Sequence, residues 1–286
     1  MNFIKMQSVG NDFVLIDTSD TKRDWSQMAI AICDRHFGVG ADSLLVLLPS
    51  DIAHIKMRIF DSDGSEAEAC GNGTMCLAKY IFENGRISTG TGQITIETLA
   101  GTRKVKLSKR GSKLISIQAS MGEPKFRLKE IPAVISEGEG NIVDIKSMLS
   151  YPVTVEDTDL YLNLISMGNP HAVYFWQHPV SDFPLSQLGP KVERLAIFPN
   201  RVNFEVARVL NRKQIEARVW ERGVGETLAC GSGACAITVA AQLLGHVDSN
   251  VDVKLPGGTL NVEWDGVGEV LLSGPAEIVF TGEWPD

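Results

Sequence analysis

The 286-residue chain has no apolar run near the roughly 18 residues that a membrane-spanning helix needs. Its start, Met1-Asn2-Phe3-Ile4-Lys5, lacks the apolar core of a secretory signal, so a cytoplasmic location is expected. Basic residues are in deficit: 27 Lys and Arg stand against 35 Asp and Glu, a formal net charge of −8. That balance argues against nucleic acid as the main partner, and no Lys/Arg cluster is read as a basic face. Low-complexity tracts are absent. Cysteine is scarce, five residues in a chain too long for a disulfide scaffold. In a reducing compartment these are thiols, and a special one is catalytic or a ligand. What remains is ordinary globular composition, 44% hydrophobic and 22% charged, enough to fill complete cores. The length allows one large domain or two of about 140 residues.

A duplication decides for two. Ala69-Cys70-Gly71-Asn72-Gly73 and Ala229-Cys230-Gly231-Ser232-Gly233 lie 160 positions apart and each opens an apolar stretch. Upstream in the same register, Arg58, Phe60, Asp61 and Glu66 stand opposite Arg218, Trp220, Glu221 and Glu226. Gly10-Asn11-Asp12-Phe13-Val14 resembles Gly168-Asn169-Pro170-His171-Ala172-Val173, and Gly92-Gln93-Ile94-Thr95-Ile96-Glu97 resembles Gly258-Thr259-Leu260-Asn261-Val262-Glu263. Ser120-Met121-Gly122 and Ser273-Gly274-Pro275 close the two copies. The expected domains are 1–121 with a returning tail 276–286, and 122–275.

Short alternating or β-branched runs separated by Gly, Pro or Asn read as strands. They fall at 3–7, 13–17, 44–48, 54–61, 93–99, 103–107 and 113–120, and then at 153–155, 161–166, 172–176, 204–210, 214–220, 251–255, 259–264, 269–273 and 277–281. Helices are few. One is expected at 25–33 with Asp24 as its cap, and a weaker one at 185–195, interrupted by Gly189-Pro190. The clearest follow the repeated cysteines, 73–84 and 233–244, each stopped by a glycine. The second is apolar nearly all round and should be buried. The segment 137–150 reads as an exposed loop. The fold class is α+β: two pseudo-symmetric domains, each a curved, mostly antiparallel sheet around a central helix.

Cys70 and Cys230 each precede glycines at a helix start, where unsatisfied backbone N–H groups and the positive end of the helix dipole converge. Such a place favours a thiolate, lets a ligand approach the backbone and can bind a carboxylate. Two such starts supply an acid, a base and a sink for the charge that develops when an α-proton leaves. A single cysteine in this context is more often a small buried residue; the duplication shifts the balance to function. Zinc is the competing ligand for Cys70, Cys76, Cys230 and Cys235, but positions five or six apart on a helix do not share a face, so no metal site is expected. Cys33, Cys76 and Cys235 are read as core. Gly71-Asn72-Gly73 lacks the third glycine and acidic residue of a dinucleotide site. His171 and Glu221 taken alone are a structural histidine and a surface carboxylate. Beside reactive thiols, either can hold or relay the thiol proton.

Four motifs in this order resemble the diaminopimelate epimerase family: Gly10-Asn11-Asp12-Phe13; Asp63-Gly64-Ser65-Glu66 leading to Cys70-Gly71-Asn72-Gly73; Gly168-Asn169-Pro170-His171; and Glu221-Arg222-Gly223-Val224-Gly225-Glu226-Thr227 leading to Cys230-Gly231-Ser232-Gly233. The tail segments Leu255-Pro256-Gly257-Gly258 and Ser273-Gly274-Pro275-Ala276-Glu277 agree. The resemblance implies a cofactor-free, two-base isomerisation of LL-2,6-diaminopimelate to the meso form, serving lysine and peptidoglycan synthesis. It implies Cys70 and Cys230 as the acid–base pair, tuned by His171 and Glu221. It places Asn11, Asn169, Asn203 and Arg222 on the substrate, mainly its non-reacting end. The backbones of Gly71-Asn72 and Gly231-Ser232 would grip the reacting carboxylate. It further implies a homodimer whose two domains close on a small amino-acid ligand, bringing the cysteines to opposite faces of one carbon.

Three positions depart from the family pattern: Ser43, Asp61 and Met75. Asp61 matters most, because a carboxylate only accepts hydrogen bonds where an amide also donates. It would repel a distal carboxylate and favour a distal ammonium. Met75 is read as packing. Two other readings compete: a cofactor-free racemase of proline, hydroxyproline or histidine, and a non-enzymatic zinc or redox module on the cysteines.

Overall fold

The computed structural model describes residues 1–68, 70–86, 92–111, 113–134 and 148–285. The expected loop at 137–150 lies, up to 147, outside these. Chain contacts divide the protein into two compact units, Met1–Ser120 with Ser273–Asp286, and Met121–Leu272. No helix among the described residues is long and apolar enough to cross a membrane.

The first unit runs β1 (Asn2–Ser8), β2 (Asn11–Asp17), α1 (Trp25–Cys33), β3 (Ser43–Leu48), β4 (Ile55–Asp61), β5 (Glu66–Ala67), α2 (Gly71–Glu83), β6 (Gln93–Thr98), β7 (Gly101–Arg110) and β8 (Lys113–Ser120). β1–β2 is antiparallel, β2–β3 parallel, β3–β4 antiparallel, β4–β6 parallel, and β6–β7 and β7–β8 antiparallel. α2 packs against β1, β2, β7 and β8, and its first eight residues are buried. α1 lies against β3 and β4. Asp24 caps it by accepting the Gln27 N–H at 3.1 Å.

The second unit runs β9 (Tyr151–Val155), β10 (Thr158–Ser166), β11 (Pro170–Phe175), α3 (Leu185–Glu193), β12 (Asn203–Asn211), β13 (Gln214–Glu221), β14 (Gly225–Thr227), α4 (Gly231–Leu243), β15 (Asn250–Leu255) and β16 (Gly258–Glu263). Its pairing repeats the first: β10–β11 antiparallel, β11–β12 parallel, β12–β13 antiparallel, β13–β15 parallel, β15–β16 antiparallel. α4 packs against β10, β11, β12, β15 and β16. β17 (Leu271–Ser273) leads into β18 (Glu277–Glu283), which pairs antiparallel with β1 in the first unit. This is the α+β fold expected, with a few sheet-covered helices and two copies of one strand order.

The differences from the sequence reading are local. Both cysteine-proximal helices start two residues early, at Gly71 and Gly231, so that each cysteine is itself the cap. α3 continues through Pro190 rather than breaking there. Gly189 lets the helix pack closely, since a Cβ at that position would lie 2.6 Å from the Trp220 ring. Two short return strands, β5 and β14, escaped notice. The β7–β8 hairpin exposes Lys104, Lys106, Lys109 and Arg110, a local basic cluster that the overall acidity conceals.

An ion network anchors the first unit beside Asn11. Lys5 Nζ lies 2.5 Å from Asp12 and also donates to the Gly40 carbonyl, while Arg35 bridges Asp12 and Asp42 at 2.8 and 2.7 Å. Burial works against the Asp12 carboxylate, but hydrogen bonds from Arg35 and Lys5 outweigh it and hold its pKa below the ordinary value. A depressed carboxylate pKa gives stability that is present above the unfolded value and lost as pH falls through the folded one. Asp12→Asn should therefore cost roughly 3 kcal/mol, because it leaves a nearly buried ammonium without its counter-ion. It should also flatten the acid limb of stability below about pH 4. Chemical denaturation of both proteins at pH 7 and pH 3 tests this, and equal midpoints at pH 7 would refute it.

Candidate active site

Each unit presents the same local construction. β4 and β13 turn back into β5 and β14 with matching register, Phe60 opposite Glu66 and Trp220 opposite Glu226. The repeated arginines hold that return by two-pronged ion pairs. Arg58 meets Glu66 at 2.6 and 2.8 Å, and Arg218 meets Glu226 at 2.8 and 3.0 Å. The upstream half of the repeat is thus the clamp that delivers each cysteine to its helix start.

There the thiol takes the place of a capping hydroxyl. Cys70 Sγ accepts the Gly73 N–H at 3.4 Å and Cys230 Sγ accepts the Gly233 N–H at 3.4 Å, both with extended backbone at the cap. A side chain at the third helical residue would be crowded in both units. A Cβ at Gly73 would sit 3.1 Å from Leu45, and one at Gly233 would sit 3.0 Å from Glu205 Oε1. The first-turn N–H groups at 71–72 and 231–232 belong to the set a helix leaves without intrahelical partners.

In the first unit, Cys70 Sγ lies 3.9 Å from Asn11 Oδ1, which also accepts from Asn72 Nδ2 at 3.3 Å. Asp42 fixes that amide by accepting Asn11 Nδ2 at 2.8 Å. Ser43 donates to Asp61 at 2.9 Å across the β3–β4 register. Burial pushes the Asp61 carboxyl up despite that bond. Met75 is fully buried in α2.

In the second unit, Cys230 Sγ lies 3.5 Å from Ser232 Oγ, which accepts from Asn169 Nδ2 at 3.2 Å. His171 is fully buried, with Nε2 2.9 Å from Asn169 Oδ1 and Nδ1 2.6 Å from Glu205 Oε1. Glu221 accepts from Thr227 at 2.6 Å, and burial raises its pKa although Thr227 and Cys230 lower it. Burial likewise pushes the Cys230 thiol well up, and the Glu221 charge adds to this. Asn203 donates to the Pro170 carbonyl and accepts the Arg222 N–H, both at 2.9 Å. The turn carrying Arg222 is held by Glu193 of α3, which accepts Gly223 N–H and Trp220 Nε1 at 2.9 Å each. The Arg222 side chain itself is exposed.

The residues predicted from sequence therefore gather into two groups: Asn11, Asn72 and Cys70 with the Ser43–Asp61 pair in one unit, and Asn169, His171, Ser232, Cys230, Glu221 and Asn203 in the other. Sequence reasoning missed Asp42 and Glu205. The second carried a signal, because Glu205 stands 160 positions after Leu45, the offset of the cysteines themselves.

The thiols are graded by environment. Burial raises Cys33 to about 12 and pushes Cys76 and Cys235 higher still, so these three are inert packing. Cys70 is partly exposed, whereas Cys230 is buried. Limiting iodoacetamide at pH 7.5 should alkylate Cys70 first, Cys230 more slowly and the other three only on unfolding. Peptide mapping checks the order, and equal labelling of Cys76 or Cys235 in the native protein would contradict it.

The family profile described as diaminopimelate epimerase matches residues 3–127 and 163–279. Curated relatives of that name include one from Moorella thermoacetica, 42% identical over 100% of this chain and 99% of its own. Another, from Pelotomaculum thermopropionicum, is 43% identical with the same coverage. Among solved structures, a PhzF-family protein from Bacillus anthracis aligns with a TM-score of 0.71 at 18% identity, covering 100% of this chain and 99% of its own. A hydroxyproline epimerase from Agrobacterium vitis aligns with a TM-score of 0.71 at 14% identity, covering 99% and 91%. These two share the fold.

Proposed function

The chain belongs to the diaminopimelate epimerase family, and from that premise we propose that Cys70 and Cys230 are the two bases of its reaction. The enzyme is an isomerase that converts LL-2,6-diaminopimelate to the meso form. In our reading one thiolate removes the α-proton from one face of the carbon, and the other thiol returns a proton from the opposite face. In the reverse direction the roles exchange.

The observation that carries this reading is the pair of thiol caps, each accepting a glycine N–H at 3.4 Å at the start of a buried helix. An amino-acid α-proton is very weakly acidic, so a site without a cofactor must supply all the stabilisation of the carbanion. The first-turn N–H groups of Gly71-Asn72 and Gly231-Ser232 are suited to the substrate carboxylate, where that charge accumulates. The raised Cys230 pKa suits a thiol that enters the cycle protonated, as the acid. Glu221 and His171 would tune it. Asn11, Asn169, Asn203, Arg222, Ser43 and Asp61 would hold the non-reacting end. Asp61 offers only acceptors, so it is assigned to the distal ammonium. Each compact unit is then one of two pseudo-symmetric epimerase domains, 1–121 with 276–286 and 122–275.

A homodimer fits the same reading. β18 exposes Ile278, Val279 and Phe280 in succession, at 36%, 56% and 46%, an apolar row suited to a second copy of this chain. Phe280→Asp should shift the sedimentation coefficient from dimer to monomer, and a wild-type protein that sediments as a monomer would remove the proposal. For the chemistry, Cys70→Ala and Cys230→Ala should each lower epimerisation by at least roughly 10²–10⁴-fold, the range of a lost acid or base. Either variant retaining near-normal turnover would dismiss the two-base assignment.

A further inference from the structure

The two units share a strand order but fill two buried positions differently. In the first, β2 and β3 pair in parallel with Phe13 beside Ser43 and Leu15 beside Leu45. In the second, β11 and β12 pair in parallel with His171 beside Asn203 and Val173 beside Glu205. His171 thus stands where Phe13 stands, and Glu205 where Leu45 stands. The helix starts agree: the side chain beneath Gly73 is Leu45, and the one beneath Gly233 is Glu205. Phe13, Leu45, His171 and Glu205 are all completely buried.

The first unit shows that the fold is satisfied by a phenylalanine and a leucine at these places. The second carries a histidine and a carboxylate instead, and Glu205 Oε2 is buried with no hydrogen-bond partner among the described residues. Burying a charge with one oxygen unmatched is costly, and a site that packs equally well with hydrocarbon does not need it for stability. The pair heads a continuous chain. Glu205 Oε1 is 2.6 Å from His171 Nδ1, His171 Nε2 is 2.9 Å from Asn169 Oδ1, Asn169 Nδ2 is 3.2 Å from Ser232 Oγ, and Ser232 Oγ is 3.5 Å from Cys230 Sγ. Both ring nitrogens of His171 are thus held by side-chain oxygens.

We propose that Glu205 is a positioning residue: through His171 and Asn169 it fixes the polar surroundings of Cys230 and makes that arm electrostatically unlike the Cys70 arm. The proposal rests on Cys230 serving as one of the two bases. The other ionisable groups around the pair are Glu221 at the end of β13 and Cys230 at the start of α4, and both feel the Glu205 charge. With the carboxylate in place, the imidazole cannot rotate and its N–H on the Glu205 side is held. An unequal pair is useful when the two faces of the carbon are attacked by different partners, one entering as thiolate and the other as thiol.

Glu205→Gln keeps the shape and one acceptor but removes the charge. We expect kcat to fall roughly 10–100-fold, the range seen for carboxylates that orient metal-bound histidines, with KM within about twofold. Proton NMR should show a far-downfield N–H resonance from His171 in the wild type, weakened or lost in Glu205→Gln, whether or not the protein turns over substrate. The double variant His171→Phe with Glu205→Leu copies the first unit and should fold with a thermal midpoint at or above that of Glu205→Gln, yet be inactive. A missing resonance in the wild type, or one unmoved in Glu205→Gln, would overturn the pairing. A changed resonance with unchanged kcat would overturn the positioning role. An unfolded double variant would make the pair structural. A wild-type protein with the resonance but no epimerase activity would sink the reading of Cys230 as a base, and this role with it.

Discussion

Everything in this fold turns on a thiol doing the work of a helix cap. Ser, Thr, Asp and Asn are the preferred residues at that position, worth about 1 kcal/mol over alanine. Sulfur is a weak acceptor and a poor substitute. Both units nevertheless place cysteine there, with Sγ 3.4 Å from the N–H three residues on. The arrangement holds a nucleophile at the positive end of a helix dipole, with further N–H groups alongside it. In the proposed reading the same few atoms position a proton-transfer group and offer an anion site. The glycine at the third helical position relieves crowding beneath the cap. The clamp of Arg58 on Glu66, or Arg218 on Glu226, fixes the short strand entering each cap.

Duplication supplies two such caps, but not two identical ones. Asn11 and Asn169 are equivalent by motif and each lies near its cysteine's surroundings. Yet Asn11 is oriented by Asp42 on an ion network open to solvent, and Asn169 by a fully buried histidine. Removing one member of a buried ion pair typically costs roughly 3–5 kcal/mol, whereas replacing both by well-packed hydrocarbon is often neutral. The Phe13 and Leu45 pair is that hydrocarbon version, present in the same chain. In the proposed reading the asymmetry gives the two faces of the α-carbon different partners, a thiolate on one and a thiol on the other. The clearest local sign of it is the raised pKa of Cys230, which burial and Glu221 together produce.

Much of this was legible before any coordinates. Most strand positions, the four helices among the described residues, the repeat and the cysteine pair follow from periodicity and from motif offsets near 160. Glycine stops after both central helices were visible as Gly85 and Gly245, and both adopt positive φ, 59° and 76°. What escaped has physical reasons. β5 and β14 are two and three residues long, too short to show alternation. The helix starts were placed late because Gly-Asn-Gly and Gly-Ser-Gly have low helical propensity, while the cap geometry set by sulfur overrides it. Gly189-Pro190 looked like a break, but the glycine serves close packing on Trp220. Glu205 was passed over because a lone carboxylate in a strand is ordinarily taken to face water, whereas β12 is buried at five successive positions from Asn203. Asp42 gave no sign at all, since its role depends on a contact with Asn11 made through the fold.

The claim that two thiols share one carbon is tested most directly by the isotope content of the first turnover. Enzyme and LL-2,6-diaminopimelate are mixed in deuterium oxide and quenched before the products re-enter the cycle. If one sulfur takes the proton and the other returns a different one, the meso product carries one solvent deuterium at the inverted carbon while recovered LL substrate carries little. Unlabelled meso product, its original proton carried across by a single base, would contradict the account.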